Sequence, residues 1–405
     1  MSRSPPRVAM RERELLLCSA RTRVDAPVQA RIGELLRAGP DWDGFLRLAH
    51  AHQVLPLVAA TLCASFASAC PASAIERLRI AMRATALRNL VLARRLADVA
   101  RLLDAAAIPY IAYKGPTLSD IAYGHAGLRQ FGDLDVWVHR WDYHRSVPRV
   151  LADHGWVLCG DYYFERSYRS DGDAVVLDVH QFLAHPRSLP FSPRFEALLA
   201  RGSDVPVAGG KVRTLAPADL ALVLCVQLAK DMTDERSPPL VKVCDIAELL
   251  RNRPDLDWAS IEREARRLGI LHVVCVAVAV AAELLDAPVP AELRDASRKV
   301  VDLPGLVRHV EERMFGDGDG TAFSRPELRD PLAWNAAIRE RLRDRSAALA
   351  ALEQRVLTPN EYDYAFVRLP KRLNAVYRLV KPLRLAWKHG RALAGAPPGR
   401  GDTGR

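Results

Sequence analysis

Apolar residues recur at helical spacing through the first quarter of the chain. The segment DWDGFLRLAHAHQVLPLVAATLCASF, residues 41–66, places them three and four positions apart, which is typical of amphipathic helices. A longer helix is predicted to begin after Ser73, because Ser73 and Glu76 match the S-x-x-E capping box that satisfies unpaired N–H groups at a helix start. We therefore predict a helical region over residues 24–104, preceded by a poorly ordered segment over residues 1–23.

The period changes from helix-like to strand-like after residue 104. Residues 108–113, IPYIAY, predict a strand, and Gly115 and Pro116 then open a short helix that ends at Gly124. A helix is predicted over residues 141–156, and three further strands are predicted in the segments DLDVWVH, YYFERSYRS and AVVLDVHQFL. These elements predict a compact α/β core over residues 105–208.

Helical patterns return after the predicted core. We expect a helical region over residues 209–300, a linker with helices over residues 301–366, and a basic amphipathic tail over residues 367–405. The most apolar segment, residues 270–285, contains His272 and Glu283 and is shorter than the ~20 residues that span a bilayer, so it predicts a buried helix. The fold class is therefore α+β, a small mixed sheet flanked by N-terminal and C-terminal helical regions.

Composition indicates a globular protein of the cytoplasm. Hydrophobic residues make up 49% of the 405 residues and charged residues 26%, and the N-terminus lacks the apolar run of a secretory signal. The seven cysteines are scattered and include no C-x-x-C pair, which predicts reduced thiols and no zinc site.

The positive charge is concentrated in the C-terminal tail. Residues 367–405 contain ten Lys or Arg residues and one acidic residue, Asp402, whereas the net charge of the whole chain is +10. Apolar positions at helical spacing lie on the opposite side of the predicted helix from basic residues, and Pro382 should kink this helix. Such a tail suits an anionic membrane surface, which would make the protein peripheral at the membrane, or nucleic acid. The alternative is that its apolar stripe packs on the rest of the protein.

Two aspartates interrupt the apolar pattern of the strand DLDVWVH. Asp133 and Asp135 point to one side of the strand, whereas Leu134 and Val136 point to the other. Burying two adjacent carboxylates without a counterion is costly, so a cation is expected between them. If the strand AVVLDVHQFL lies alongside, Asp178 completes a three-carboxylate cluster, the hard oxygen set that Mg²⁺ or Mn²⁺ prefers.

Residues upstream of the aspartates are typical of an anion site. Gly115 allows a phosphate to approach the backbone at a helix N-terminus, Lys114 supplies a positive charge, and Arg129 could clamp a phosphate or an acidic group. Each has an alternative: Lys114 as a surface lysine, and Arg129 as a structural ion pair with one of the aspartates. His180, on the same strand face as Asp178, is interpreted as an oriented core group or a group that supports a ligand, with a ligand role of its own as the alternative.

Residues 107–139, AIPYIAYKGPTLSDIAYGHAGLRQFGDLDVWVH, resemble the uncharacterised nucleotidyltransferase family, within the DNA polymerase beta-like nucleotidyltransferase superfamily. The preceding helical stretch and the later LDVHQFL and KVCDIAELL also fit, so the resemblance extends roughly from Asp41 to Leu250. It implies a palm-like core. The superfamily turn carries Gly-Ser, whereas Pro116 and Thr117 follow Gly115 here, so either Thr117 or Lys114 is expected to contact the phosphates.

The resemblance implies transfer of a nucleoside monophosphate from a nucleoside triphosphate, with ATP among the candidates, to an acceptor hydroxyl, releasing pyrophosphate. Asp133, Asp135 and Asp178 would hold Mg²⁺ or Mn²⁺, and Asp178 would take the hydroxyl proton. Lys242 and Asp245 are candidates to line the acceptor pocket, with a structural ion pair as their alternative. Two other functions stay open: a D-x-D glycosyltransferase that uses a nucleotide sugar, and a non-catalytic binding protein with the same fold.

Overall fold

The computed structural model describes residues 10–162, 164–170, 172, 175–184, 189, 191–232, 237–316 and 324–339, with isolated residues between 366 and 384. Residues 1–342 form one compact unit and residues 343–405 a second. Most of the predicted basic tail and the second half of the predicted linker region lie outside the described residues, so both stay predictions. Within the described part of the chain, no helix is long and apolar enough to cross a membrane.

Helices form both ends of the first unit. The N-terminal set is α1 Met10–Ser19, α2 Ala26–Arg37, α3 Trp42–Ala51, α4 Leu55–Ser65 and α5 Ala72–Ala105. Helices within the sheet region are α6 Gly115–Leu118, which continues as a π-helical turn over Ser119–Tyr123, α7 Arg140–His144, α8 Ser146–Asp153 and α9 Phe195–Arg201. The C-terminal set is α10 Pro217–Asp231, α11 Val241–Asn252, α12 Trp258–Leu268, α13 Leu271–Leu285, α14 Ala291–Ser297, α15 Leu303–Phe315 and α16 Pro331–Ala337.

A mixed seven-stranded sheet lies between these sets in the chain. Its strands are β1 Tyr110–Ala112, β2 Asp133–Val138, β3 Trp156–Asp161, β4 Glu165–Ser170, β5 Val176–His180, β6 Ser203–Val207 and β7 Gly210–Thr214. Their order in the sheet is β3-β4-β5-β2-β1-β7-β6. The pairs β2–β5 and β1–β7 are parallel and the others antiparallel, which confirms the predicted α+β class with a mixed sheet.

Two hydrophobic cores cover the two faces of the sheet. One contains Leu134 and Val136 of β2 together with apolar residues of the second half of α5 and of α8. The other contains Trp137 of β2 and joins the sheet to the helices at both ends of the unit, including the apolar helix α13. The alternation of β2 therefore directs Leu134 and Val136 to one core and Asp135 and Trp137 to the other face, as the sequence pattern predicted.

Two predictions about the N-terminal region are wrong. Residues 10–19 are helical rather than poorly ordered, because Leu15 and Leu16 are completely buried in the core and Glu12 accepts a hydrogen bond from the Asp41 N–H at 2.7 Å. The predicted capping box is also absent: α5 begins at Ala72 with Pro71 as its N-cap residue and no side-chain cap. Ser73 consequently lies inside the first turn, where its hydroxyl cannot cap the helix start.

The sheet is wider than the sequence predicted. Strand β3 is not among the predicted strands, and its first residue, Trp156, lies in the predicted helix; most β3 residues are exposed and show no alternation of apolar and polar positions. The hairpin of β6 and β7 extends the sheet to Thr214, beyond the predicted boundary at residue 208. Ala208 and Gly209 both have positive φ, 48° and 81°, as in the tight turns that join antiparallel strands.

Candidate functional site

The parallel pairing of β2 with β5 brings the predicted carboxylates together. Asp135 lies opposite Asp178 in register, and Asp133 lies opposite Val176. Because residues directly opposite on paired strands point to the same face, the three aspartates share the face that Trp137 also occupies. Asp133 is exposed at the start of β2, whereas Asp135 is only 4% exposed. The cluster thus runs from the solvent-facing end of the strand into the protein.

Asp135 is held by two nitrogen donors on one of its oxygens. Lys114 Nζ and His180 Nε2 each lie 2.9 Å from Asp135 Oδ1. Burial raises the pKa of Asp135, but the Lys114 ammonium and the His180 hydrogen bond outweigh it and hold that pKa well below its usual range. Asp135 is therefore ionised at all physiological pH values, with Lys114 as its counterion.

The other two aspartates carry charge that the protein neutralises incompletely. The negative charge of Asp135 and partial burial raise the pKa of Asp133. Burial raises the pKa of Asp178 to about 6, although a hydrogen bond from Ser167 opposes the shift. Asp178 Oδ1 is buried and has no hydrogen-bond partner. A carboxylate oxygen in this state is stabilised by an added cation.

Sequence reasoning missed Glu165 and Lys230, which complete the polar lining of this face. Glu165 on β4 lies opposite His180 on β5, and Glu165 Oε2 is 3.4 Å from His180 Nδ1. Burial raises the pKa of Glu165 to about 7 and lowers that of His180, so a protonated Glu165 can donate to Nδ1 while Nε2–H donates to Asp135. Lys230, near the end of α10, influences Glu165 through its charge. Alternation along β4 indicates that Glu165 and Tyr168 point to opposite faces of the sheet, but only the register of β4 against β5 places Glu165 next to His180.

The first residue of α6 has a backbone geometry that glycine permits. Gly115 has a φ of +57°, in the left-handed region, and is packed against Phe131. Lys114 precedes it as the N-cap residue. The Thr117 hydroxyl, which was a candidate phosphate ligand, is completely buried and donates to the Lys114 carbonyl at 3.0 Å. Of the two candidates, the structure directs only Lys114 to the carboxylates.

Arg129 belongs to a structural ion pair, but its partner is not one of the strand aspartates. Arg129 Nε and Nη2 donate to the two oxygens of Asp245 at 2.7 and 2.8 Å, and Tyr123 Oη donates to Asp245 at 2.7 Å. Both charged residues are buried, so in this arrangement the Arg129 guanidinium is bonded to Asp245. Lys242 is paired separately, with Asp231 at 3.2 Å.

The residues suit a divalent cation by chemistry, although their side chains do not form a closed set. Three carboxylates on two neighbouring strands, one of them with an orphaned buried oxygen, are the hard donors that Mg²⁺ or Mn²⁺ binds. In the described part of the chain, no group of three His, Cys, Asp or Glu side chains is arranged as a metal site. Lys114 instead supplies the positive charge next to Asp135.

A surface cavity of about 380 Å³ lies away from these carboxylates. Its lining includes residues from the end of α5, from the start of β1 and the residue before it, from α9 and from the β6–β7 hairpin: Asp104, Pro109, Tyr110, Leu199, Asp204, Lys211 and Arg213. None of the predicted site residues borders it. The register and burial of the three aspartates, together with the buried Asp178 oxygen that has no hydrogen-bond partner, place the candidate site at the aspartates.

Comparison with known proteins places the chain among proteins described as nucleotidyltransferases. The family described as "Uncharacterised nucleotidyltransferase" matches residues 38–286, more than half of the chain, and the protein therefore belongs to that family. This confirms the resemblance predicted from the sequence.

Curated proteins give no match. Among solved structures, an antigenic nucleotidyltransferase-like protein from Paracoccidioides brasiliensis is 16% identical, with a TM-score of 0.35. The match covers 49% of this chain and 94% of that one.

Proposed function

We propose that the protein is a metal-dependent nucleotidyltransferase. It moves a nucleoside monophosphate group from a nucleoside triphosphate to the hydroxyl of an acceptor and releases pyrophosphate. The observation that carries the proposal is the register of Asp135 opposite Asp178 on parallel strands, with Asp133 at the open end of the same face.

The three aspartates would hold Mg²⁺ or Mn²⁺. When bound, such an ion neutralises phosphate charge and positions the reacting oxygens. The electrostatics of the cluster support this role, because neighbouring negative charge raises the pKa of Asp133 and burial raises that of Asp178. A bound cation would therefore stabilise the ionised form of both carboxylates.

Lysines near the aspartates support a polyphosphate substrate. Lys114 contacts Asp135, and the charges of Lys230 and Lys242 act on Glu165 and on Asp133 respectively. Lys230 and Lys242 come from α10 and α11, so the C-terminal helices contribute positive charge to the face where the aspartates lie. A triphosphate carries the negative charge that such a set of ammonium groups attracts.

The proton of the acceptor hydroxyl needs a base in the same cluster. As the acceptor oxygen bonds to the α-phosphorus, the bond from that phosphorus to the leaving pyrophosphate breaks and the hydroxyl proton passes to Asp178. A pKa of about 6 leaves Asp178 mostly ionised at neutral pH and raises its basicity above that of an ordinary aspartate.

The test is to incubate the full-length protein with each α-labelled nucleoside triphosphate, with Mg²⁺ or Mn²⁺, and with cell extract. We expect label to appear on an acceptor molecule or macromolecule, and Asp133→Asn to abolish it. Asp153→Asn, an exposed aspartate on α8, is the matched control and should label normally. Absence of label with every nucleotide, or labelling that survives Asp133→Asn, would contradict the proposal.

The order of elements argues against the glycosyltransferase alternative. Those enzymes place a nucleotide-binding α/β region before the D-x-D motif, whereas helices α1–α5 precede β1 here. One observation favours the non-catalytic alternative, namely that Lys114 already neutralises Asp135. The same labelling experiment decides between that alternative and the transferase.

A further inference from the structure

Asp135 and Lys114 form an ion pair within the carboxylate cluster. Their atoms are 2.9 Å apart, and the side chain of Asp135 is 3% exposed whereas that of Lys114 is 18% exposed. Asp135 is thus enclosed by the protein, while part of the lysine reaches solvent. Lysine has a long flexible stem with a terminal ammonium that can change partners without movement of the backbone.

One ammonium does not balance this cluster. Asp133, Asp135 and Asp178 share a strand face, and Asp178 Oδ1 has no hydrogen-bond partner. His180 donates to Asp135 as well, but as a neutral ring, since burial lowers its pKa. Lys230 and Lys242 also act on this face through their charges, whereas Lys114 contacts the aspartate that lies deepest.

We propose that Lys114 is an exchangeable counterion of Asp135. Lys114 neutralises Asp135 while no metal is bound, and it transfers to the phosphates when metal and triphosphate enter together. The inference rests on the proposed function and adds to it a coupling between the two ligands.

The exchange makes metal and triphosphate binding mutually dependent. A metal ion competes with Lys114 for Asp135, so metal alone binds weakly. A triphosphate competes with Asp135 for Lys114, so triphosphate alone also binds weakly. When both are present, each removes the competitor of the other, and by linkage their affinities increase by the same factor.

The first experiment measures Mn²⁺ binding to the full-length protein by electron paramagnetic resonance, without nucleotide. Lys114→Met should bind Mn²⁺ on the order of tenfold or more tightly than the wild type, because a unit positive charge close to the site has been removed. Lys211→Met, on the exposed part of β7, removes the same charge elsewhere and should bind Mn²⁺ as the wild type does. If Lys114→Met does not fold, Lys114→Gln removes the charge while keeping a hydrogen-bond donor.

The second experiment measures binding of inorganic tripolyphosphate without metal, by calorimetry. Asp135→Asn releases Lys114 from its ion pair. Asp178→Asn removes one negative charge from the same face but leaves the Lys114–Asp135 pair intact. The increase in affinity for tripolyphosphate should therefore be several-fold larger in Asp135→Asn than in Asp178→Asn. In the double variant that combines Lys114→Met with Asp135→Asn, the increase in tripolyphosphate affinity beyond that of Asp178→Asn should disappear.

These outcomes separate the inference from the proposed function. Equal Mn²⁺ affinity of wild type and Lys114→Met, or equal gains in Asp135→Asn and Asp178→Asn, would overturn the exchange and leave metal-dependent transfer intact. If no protein binds Mn²⁺, with or without tripolyphosphate, the metal-dependent function fails and the exchange fails with it.

Discussion

Arg129 and Asp245 form a buried two-point ion pair that joins residues 116 positions apart in the chain. The side chains are 6% and 1% exposed, and Tyr123 adds a third hydrogen bond to the carboxylate. The pair ties the loop before β2 to α11. It therefore fixes the approach of the chain to the aspartates while taking Arg129 away from any phosphate.

Asp245→Ala should lower the free energy of unfolding by about 3–5 kcal/mol, because it leaves the Arg129 guanidinium buried without its counterion. Urea denaturation of the full-length protein measures the effect. Asp295→Ala removes a carboxylate from an exposed pair with Arg298, 84% and 79% exposed, and should leave the midpoint unchanged. Equal, small effects of the two substitutions would show that the buried pair contributes little.

Gly115→Ala should destabilise the protein by about 1–2 kcal/mol, because a φ of +57° places a Cβ in the left-handed region. It should also reduce nucleotidyl transfer, since Lys114 directly precedes the turn. Gly33→Ala is the matched control: Gly33 lies inside α2 with open space around its Cβ position, and alanine there should stabilise by about 0.5–1 kcal/mol. A Gly115→Ala protein as stable as the wild type would contradict the strain argument.

Asp178→Asn should abolish transfer and yet stabilise the fold at pH 8. Its pKa of about 6 in the folded protein lies above the usual 3.8, so ionisation between these values lowers stability as pH rises. Asparagine removes that cost, on the order of 1–3 kcal/mol. Thermal unfolding of Asp178→Asn and of the wild type at pH 8 and at pH 4 measures the difference in stability. Asp178→Asn should be more stable than the wild type at pH 8 only. A loss of stability at pH 8 would show that the charge is already neutralised.

Glu165→Gln should flatten the pH dependence of stability between about pH 4.5 and 7. The folded pKa is about 7 and the usual value 4.5, so within this window the folded protein keeps a proton that the unfolded chain has lost. Stability of the wild type therefore falls with rising pH there, by an amount on the order of 2 kcal/mol attributable to Glu165. Glu76→Gln, on the exposed side of α5, should leave the slope as in the wild type. An unchanged slope in Glu165→Gln would contradict the buried, neutral carboxyl.

Periodicity was sufficient for much of the architecture. The alternation of DLDVWVH predicted which of its residues enter the core, and the structure places Leu134 and Val136 there and Asp135 on the opposite face. Helices such as α11–α13 follow from apolar spacing that is local to each segment. Strand β3 did not show this signal, because most of its residues are exposed. Strands β6 and β7 have five residues each and bury few apolar side chains, among them Val207 and Val212, which is too few to show a period.

The candidate site depended on pairings that no local pattern encodes. The spacing of Asp133 and Asp135 predicted a shared face, because side chains of a strand alternate regardless of what surrounds it. Asp178 joins them only through the register of β5 against β2, and Glu165 only through that of β4 against β5. Likewise, Arg129 is equally suited by chemistry to a phosphate or a carboxylate, and the packing of α11 against the loop selected Asp245. Residue types and spacing therefore determined which chemistry was available, whereas long-range packing determined which partners each charge received.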